Sequence, residues 1–230
     1  MSQVTIVLTS CNRQKELKVT LQTFFKFNTY PIKNIIIIDD SGKKGCIDEA
    51  IKEIPDNIEK QIIYNDKNIG QTKSIDKAYS LVDTEYIFHC EDDWEFYDYG
   101  FIEKSLEILS KNKMIYTVYL RPYANLRVLR NGQPVMPKIY DNLYRIIGTF
   151  RERTNTWNGF TFNPGLRRTQ VCKLFLPYQQ YIDSPLCNVG GVEQALSHLY
   201  FDKGFYSAIT LNESGYVKHI GWDNPTKREY

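Results

Sequence analysis

The sequence has no apolar run of 18 residues and no basic segment leading into an apolar stretch at its start, so neither a membrane-spanning helix nor a secretory leader is expected. It also lacks an excess of one charge. With 29 basic against 27 acidic residues the net charge is +2, too little to favour nucleic acid or an anionic membrane. The five cysteines, Cys11, Cys46, Cys90, Cys172 and Cys187, include no CxxC pair, and an odd number in a chain of 230 residues does not make a disulfide framework. They read as reduced, and the chain as cytoplasmic. Glycine-rich phosphate loops are missing too: there is no GxGxxG and no GxxxxGK[ST], so neither the dinucleotide fingerprint nor the P-loop applies. No repeat or low-complexity linker divides the chain, so its two halves are expected to share one body.

What is present is a core-forming composition, 42% hydrophobic, arranged in alternating runs. Val4 to Leu8 is a short β-branched run that ends in the polar loop Thr9-Ser10-Cys11-Asn12-Arg13. Leu17, Leu21, Phe24 and Phe25 then recur on one helical face. Ile35 to Ile38 is continuously apolar and empties into Asp39-Asp40-Ser41-Gly42, as a buried parallel strand does. A short helix over 47–53 follows. A third strand, Gln61 to Tyr64, leads through Asn68 and Gly70 into a helix from Thr72 to Val82, and Tyr86 to Cys90 is the fourth strand. The alternation predicts parallel strands joined by helices, with the loops at Asn12, Asp39, Asn68 and Asp92 gathered at the carboxyl ends of the strands. Beyond Met114, the pieces Met114 to Leu120, Leu126 to Leu129 and Tyr144 to Ile147, separated by Pro122, Asn131-Gly132 and Pro134, predict a hairpin region. A helix over Val192 to Phe201 comes next. Gly215 to Tyr230 carries few signals of either kind.

The fourth strand ends in His89-Cys90-Glu91-Asp92-Asp93-Trp94. Adjacent carboxylates at a strand end repel one another, and a divalent cation would compensate them. Hard oxygen ligands select Mg²⁺ or Mn²⁺, ions that keep positions open for nucleotide phosphates. The alternative is a solvated acidic turn capping the next helix. His89 and His198 have no partner visible in the sequence and read as structural.

In this order, the elements resemble a nucleotide-sugar glycosyltransferase of the GT-A fold, in the family-2-like group. The resemblance rests on Val4 to Arg13 with its helix, Asp39 to Gly42, Asn68 and Gly70 before a helix, Glu91-Asp92-Asp93, Phe162 to Gly165, Gly191-Val192-Glu193-Gln194 and His219 to Trp222. It implies a Rossmann-like, mostly parallel α/β sheet flanked by helices. Residues 1–113 would form the nucleotide-sugar-binding half and 114–230 the acceptor-binding half of one domain. Thr9, Asn12, Arg13, Asp39, Asp40, Asn68, Gly70 and Lys73 become the candidate nucleotide pocket, with Arg13 approaching phosphate and Asp39 or Asp40 accepting from the nucleoside. The acidic triplet becomes the DxD motif, with Asp93 as direct metal ligand, Glu91 as ligand or sugar contact, Asp92 between them, and His219 as third-site residue. Glu193 takes the place of the catalytic base, and Gln194 stands where the family often has a second acid. Trp157 to Phe162, Trp94 and Arg167 or Arg168 are expected near the sugars, Trp157 as a ring platform. The implied reaction is metal-dependent, inverting transfer from a nucleoside-diphosphate sugar, UDP-linked in preference to GDP-linked. The acceptor would be a carbohydrate, glycolipid or protein, reached at a membrane only by peripheral contact. Two rivals stay open: a sugar-phosphate nucleotidyltransferase, and a non-catalytic carbohydrate-binding or scaffold domain.

Overall fold

The computed structural model describes residues 2–122, 129–130, 133–134, 139–147, 158–185 and 191–221. The first half runs β1 (Val4–Ser10), α1 (Gln14–Phe27), β2 (Asn34–Asp39), α2 (Asp48–Ile51), β3 (Glu59–Tyr64), α3 (Gln71–Leu81), β4 (Tyr86–Glu91), β5 (Trp94–Phe96) and α4 (Phe101–Lys111). The second half runs β6 (Ile115–Tyr119), β7 (Leu129–Arg130), β8 (Gln133–Pro134), β9 (Ile139–Tyr140), β10 (Tyr144–Ile147), β11 (Gly165–Arg168), α5 (Thr169–Lys173), α6 (Gly191–Asp202), β12 (Tyr206–Thr210) and β13 (Val217–His219).

Nine of these strands form one sheet in the order β3-β2-β1-β4-β11-β6-β12-β10-β9. Seven point the same way, and only β11 and β10 run against them. The two sides of the sheet bury separate cores because the side chains of β1 alternate. Ile6 and Leu8 pack with Leu17, Leu21 and Phe24 of α1, whereas Val7 packs with Ile75 and Ala78 of α3. Phe24 is the hub of the first core, with the rings of Phe88, Phe96 and Phe101 at 5.1–5.4 Å. The chain lays down β1, β2 and β3 to one side and then places β4 on the other side of β1. The carboxyl ends of β1 and β4 therefore flank a topological switch point, where open sheets leave a crevice.

From β1 to β4 the strands and helices lie where the sequence places them, whereas β5 and α4 are elements that the sequence reading does not place. The hairpin expectation beyond Met114 holds only in part: β7 pairs with β8 and β9 with β10, but β6 is an interior strand between β11 and β12. Its partners come from distant sequence, which local turn signals cannot report. Leu126 to Val128 lie outside the described residues. Among the described residues no helix is long and apolar enough to cross a membrane.

Gly165 begins β11 where that strand is squeezed between β4 and β6. A Cβ there would lie 2.5 Å from the Val118 carbonyl oxygen. Backbone cannot yield as a flexible side chain can, so Gly165→Ala is expected to destabilise the fold by about 1–3 kcal/mol. A thermal melt unchanged from the parent protein would contradict this.

Candidate active site

The acids that end β2 organise the neighbouring loops. Asp39 is fully buried; its Oδ2 accepts the Asn12 N–H (3.3 Å), and its Oδ1 accepts the Ser41 N–H (3.0 Å), the Ser41 hydroxyl and the Cys46 thiol (3.2 Å). Asp40 binds the loop after β3. Its Oδ1 accepts from Asn65 Nδ2 (2.8 Å) and the Ile69 N–H (2.9 Å), and its Oδ2 from the Gly70 N–H (2.8 Å). Both carboxylates thus accept from protein donors and brace the loops around them. Asn68 places Nδ2 3.5 Å from Cys11 Sγ, joining the loops after β1 and β3. Thr9 lies in β1 between Ile38 and Glu91 of the adjacent strands, and Lys73 is exposed on α3.

Two threonines of α1 fix the acidic turn. Thr20 Oγ1 donates to the Asp92 carbonyl (2.8 Å) and accepts the Trp94 N–H (3.1 Å), and Thr23 Oγ1 accepts the Phe96 N–H (3.0 Å). The C-terminal segment then closes over the turn. Strand β13 pairs with β5 so that His219 stands opposite Trp94, and the Ile220 N–H donates to the Asp93 carbonyl (2.9 Å). This ladder carries His219 Nε2 to 3.2 Å from Asp93 Oδ2. Gly221 passes so close that a Cβ on it would fall 2.1 Å from the same oxygen.

Arg13 does not reach outward. It is drawn in to pair with Asp93 and, at 3.4 Å, with Asp92 Oδ1, while Asp92 Oδ2 accepts the Cys11 N–H (3.1 Å). Glu91 has different partners from the other two acids. Its oxygens accept from Gln71 Nε2 (2.7 Å) and Trp94 Nε1 (3.2 Å). Burial first, then the charges of Asp93 and Glu193, pushes Glu91 up to about 7. Asp92 also rises to about 7, through burial and the charge of Asp93, against the pull of Arg13. Burial works against Asp93 as well, yet His219 and Arg13 outweigh it and hold that carboxyl below its usual range. The turn therefore sets one acid held low by its cationic neighbours beside two that burial and the charge of Asp93 push up.

Among the described residues no three His, Cys, Asp or Glu side chains converge as a complete cation cage. Asp93 and His219 are an oxygen and nitrogen donor pair, suited to an ion that completes its shell with water and phosphate oxygens.

Glu193 lies in the first turn of α6, and its carboxylate is gripped on one side only. Oε1 accepts from Thr161 Oγ1 (2.8 Å) and the Phe162 N–H (2.5 Å), whereas Oε2 receives no hydrogen bond from a described residue. Burial raises this acid, against those two donors and the charges of Arg167 and Arg121. Arg121 is a site residue that the sequence reading misses. It follows β6, donates to Asn163 Oδ1 (2.7 Å), stands 5.7 Å from the Trp94 ring centre and feels both Glu193 and Glu91. A signal for it exists: a charged residue at the end of an apolar strand run, the pattern that singles out Glu91 to Asp93.

Arg167 and Arg168, expected near the sugars, are corrected to interior roles. Arg167 is fully buried, and Arg168 donates to the Ile115 carbonyl (2.9 Å) and the Leu109 carbonyl. Trp157 and Trp222 lie outside the described residues. His89 is buried against Tyr79, and His198 meets Asn158, as structural histidines do.

Comparison with known proteins places this geometry in context. The family model described as Glycosyl transferase family 2 matches residues 5–175. Among solved structures, GalNAc-T7 with UDP, GalNAc and Mn²⁺ is 15% identical with a TM-score of 0.65, over 95% of this chain and 43% of that one. S. aureus TarS 1-349 is 13% identical with a TM-score of 0.59, over 94% and 59%. The mannosyltransferase PcManGT from Pyrobaculum calidifontis, in complex with GDP-Man and Mn²⁺, is 12% identical with a TM-score of 0.59, over 94% and 59%. At these identities the likeness shows the fold. The chain spans about three fifths or less of the length of these structures. No curated protein sequence matches it.

Proposed function

The chain belongs to glycosyl transferase family 2, and from that membership we propose that it moves a sugar from a nucleoside-diphosphate donor to an acceptor hydroxyl. The donor is UDP-linked in preference to GDP-linked, the transfer inverts the anomeric centre, and the acceptor is a carbohydrate, glycolipid or protein. Residues 1–113 supply the donor side and 114–230 the acceptor side. The observation that carries this reading is Glu193, with one oxygen held by Thr161 and Phe162 and the other left for a substrate.

In this mechanism the acceptor hydroxyl attacks the anomeric carbon as its proton passes to Glu193 Oε2, and the nucleoside diphosphate leaves from the opposite face. The raised proton affinity that burial gives Glu193 suits it to take that proton. Asn12, Asn68, Gly70 and Lys73 border the nucleoside, over loops shaped by Thr9, Asp39 and Asp40. Arg13 and Arg121 supply guanidinium charge for the diphosphate, and Glu91 with Trp94 faces the donor sugar. Asp93 and His219 would hold Mn²⁺ or Mg²⁺, which when bound offsets the negative charge of the diphosphate.

The test is a calorimetric titration of UDP and of GDP, each with Mn²⁺ and with EDTA. UDP is expected to bind only with Mn²⁺, and GDP at least tenfold more weakly. Equal UDP binding in EDTA would remove the metal dependence, and no binding of either nucleotide would remove the donor class.

A further inference from the structure

Arg167 is a fully buried cation in β11, and among the described residues no carboxylate lies within ion-pair distance of it. Burying a guanidinium without an ion-pair partner is costly, so its other contacts must compensate. They are specific. Nη1 donates to Tyr79 Oη (3.1 Å), and Nη2 donates to the carbonyls of Thr161 (2.6 Å) and Asn163 (3.2 Å). The guanidinium carbon is 5.5 Å from the ring centre of Phe160 and 6.0 Å from that of Phe162. Because arginine only donates, the Tyr79 oxygen accepts from it, leaving the Tyr79 hydroxyl proton for His89 Nδ1 at 3.0 Å.

The two carbonyls belong to the strap that grips Glu193. Residues 161–163 present the Thr161 hydroxyl and the Phe162 N–H to Oε1 from one side and the Thr161 and Asn163 carbonyls to Arg167 from the other. The Thr161 N–H, in turn, donates to Tyr119 Oη (3.0 Å). Both strap carbonyls are held by Nη2, whose two N–H bonds are fixed in the guanidinium plane that Nη1 anchors on Tyr79, a constraint that a freely rotating lysine ammonium lacks.

We propose that Arg167 is a positioning residue for Glu193: it holds the 161–163 strap from the core side, and the strap aims Oε2 at the acceptor hydroxyl. This rests on the reading of Glu193 as the base. It also gives the buried charge a purpose, since Arg167 favours the ionised carboxylate that must wait for the proton. The other charged groups facing Glu193 are Arg121 from the end of β6 and Glu91 from β4, while His198 on α6 is turned to Asn158.

The test is carbon-13 NMR titration of the Glu193 carboxyl, assigned by its loss in Glu193→Gln, in the parent protein, Arg167→Met and Arg167→Lys. Turnover is read alongside as UDP release from UDP-N-acetylglucosamine with Mn²⁺. Arg167→Met is expected to raise the titration midpoint by about one pH unit and to lower kcat at least tenfold with little change in KM. Arg167→Lys, which keeps the charge, should restore most of the midpoint but not the rate. An unchanged midpoint in a folded methionine variant, or parental kcat in the lysine variant, would reduce Arg167 to a packing element and overturn the proposal. The NMR reading needs no activity. Failure of the base assignment itself would appear separately, as turnover that survives Glu193→Gln.

Discussion

Glu193→Gln is expected to lower sugar transfer by about 10²–10⁴-fold while nucleotide binding stays within a factor of two. The substitution is a clean one because the amide oxygen of glutamine can take the place of Oε1 and keep the hydrogen bonds from Thr161 and Phe162. The amide nitrogen then occupies the position of Oε2, where it cannot accept a proton. Shape is preserved and basicity is lost. An acid in the first turn of a helix is also favoured by the helix dipole, and that role alone would cost about 0.3–1 kcal/mol of stability and leave the rate untouched. Steady-state kinetics beside a thermal melt separate the two. Full kcat with a slightly lowered melting temperature would remove Glu193 from the chemistry.

The parallel half of the sheet is readable because its signals are local. Ile35 to Ile38 is buried on both faces, so it shows as an unbroken apolar run, and the polar loop after each strand marks its carboxyl end. Helix α4 is legible in principle, with Phe101, Ile102, Ser105, Ile108 and Leu109 buried along one side, but the aromatic residues that follow the acidic turn obscure its start. Strand β11 is not legible. Gly-Leu-Arg-Arg has no strand pattern, and it is a strand because Gly165 lets it fit between β4 and β6 while Arg167 finds carbonyls and aromatic faces in the core. Strands β5 and β13, with three residues each, are made by pairing across the chain.

The site divides in the same way. Its acids are found because charge at the end of a buried strand stands out, but what each acid does is set by tertiary contacts. Asp39 and Asp40 read as ligand contacts in sequence, and the structure adds a bracing role that sequence does not show, because N–H groups from neighbouring loops reach them. Thr20 and Thr23 look like ordinary helix residues, yet their hydroxyls fix the backbone from Asp92 to Phe96.

Asp93→Asn is expected to weaken Mn²⁺-dependent UDP binding by at least tenfold, and Asp93→Ala to abolish it. Changing a group that merely supports a metal ligand costs about 10–100-fold in affinity, so changing a direct ligand should cost no less. Asparagine keeps the shape and an oxygen but gives up the charge that His219 and Arg13 stabilise; alanine gives up the donor as well. Binding of UDP in EDTA provides the control. If Asp93 serves only to brace Arg13, both variants should shift binding equally with and without Mn²⁺, and the metal assignment fails. Gly221→Ala supplies the converse perturbation. It leaves every donor in place but sets a methyl 2.1 Å from Asp93 Oδ2, so the carboxylate or the His219 strand must move. A site whose chemistry depends on Asp93 and His219 together should lose Mn²⁺-dependent binding in this variant too. A bracing pair would lose stability alone, and a melt beside the titration tells which of the two is disturbed.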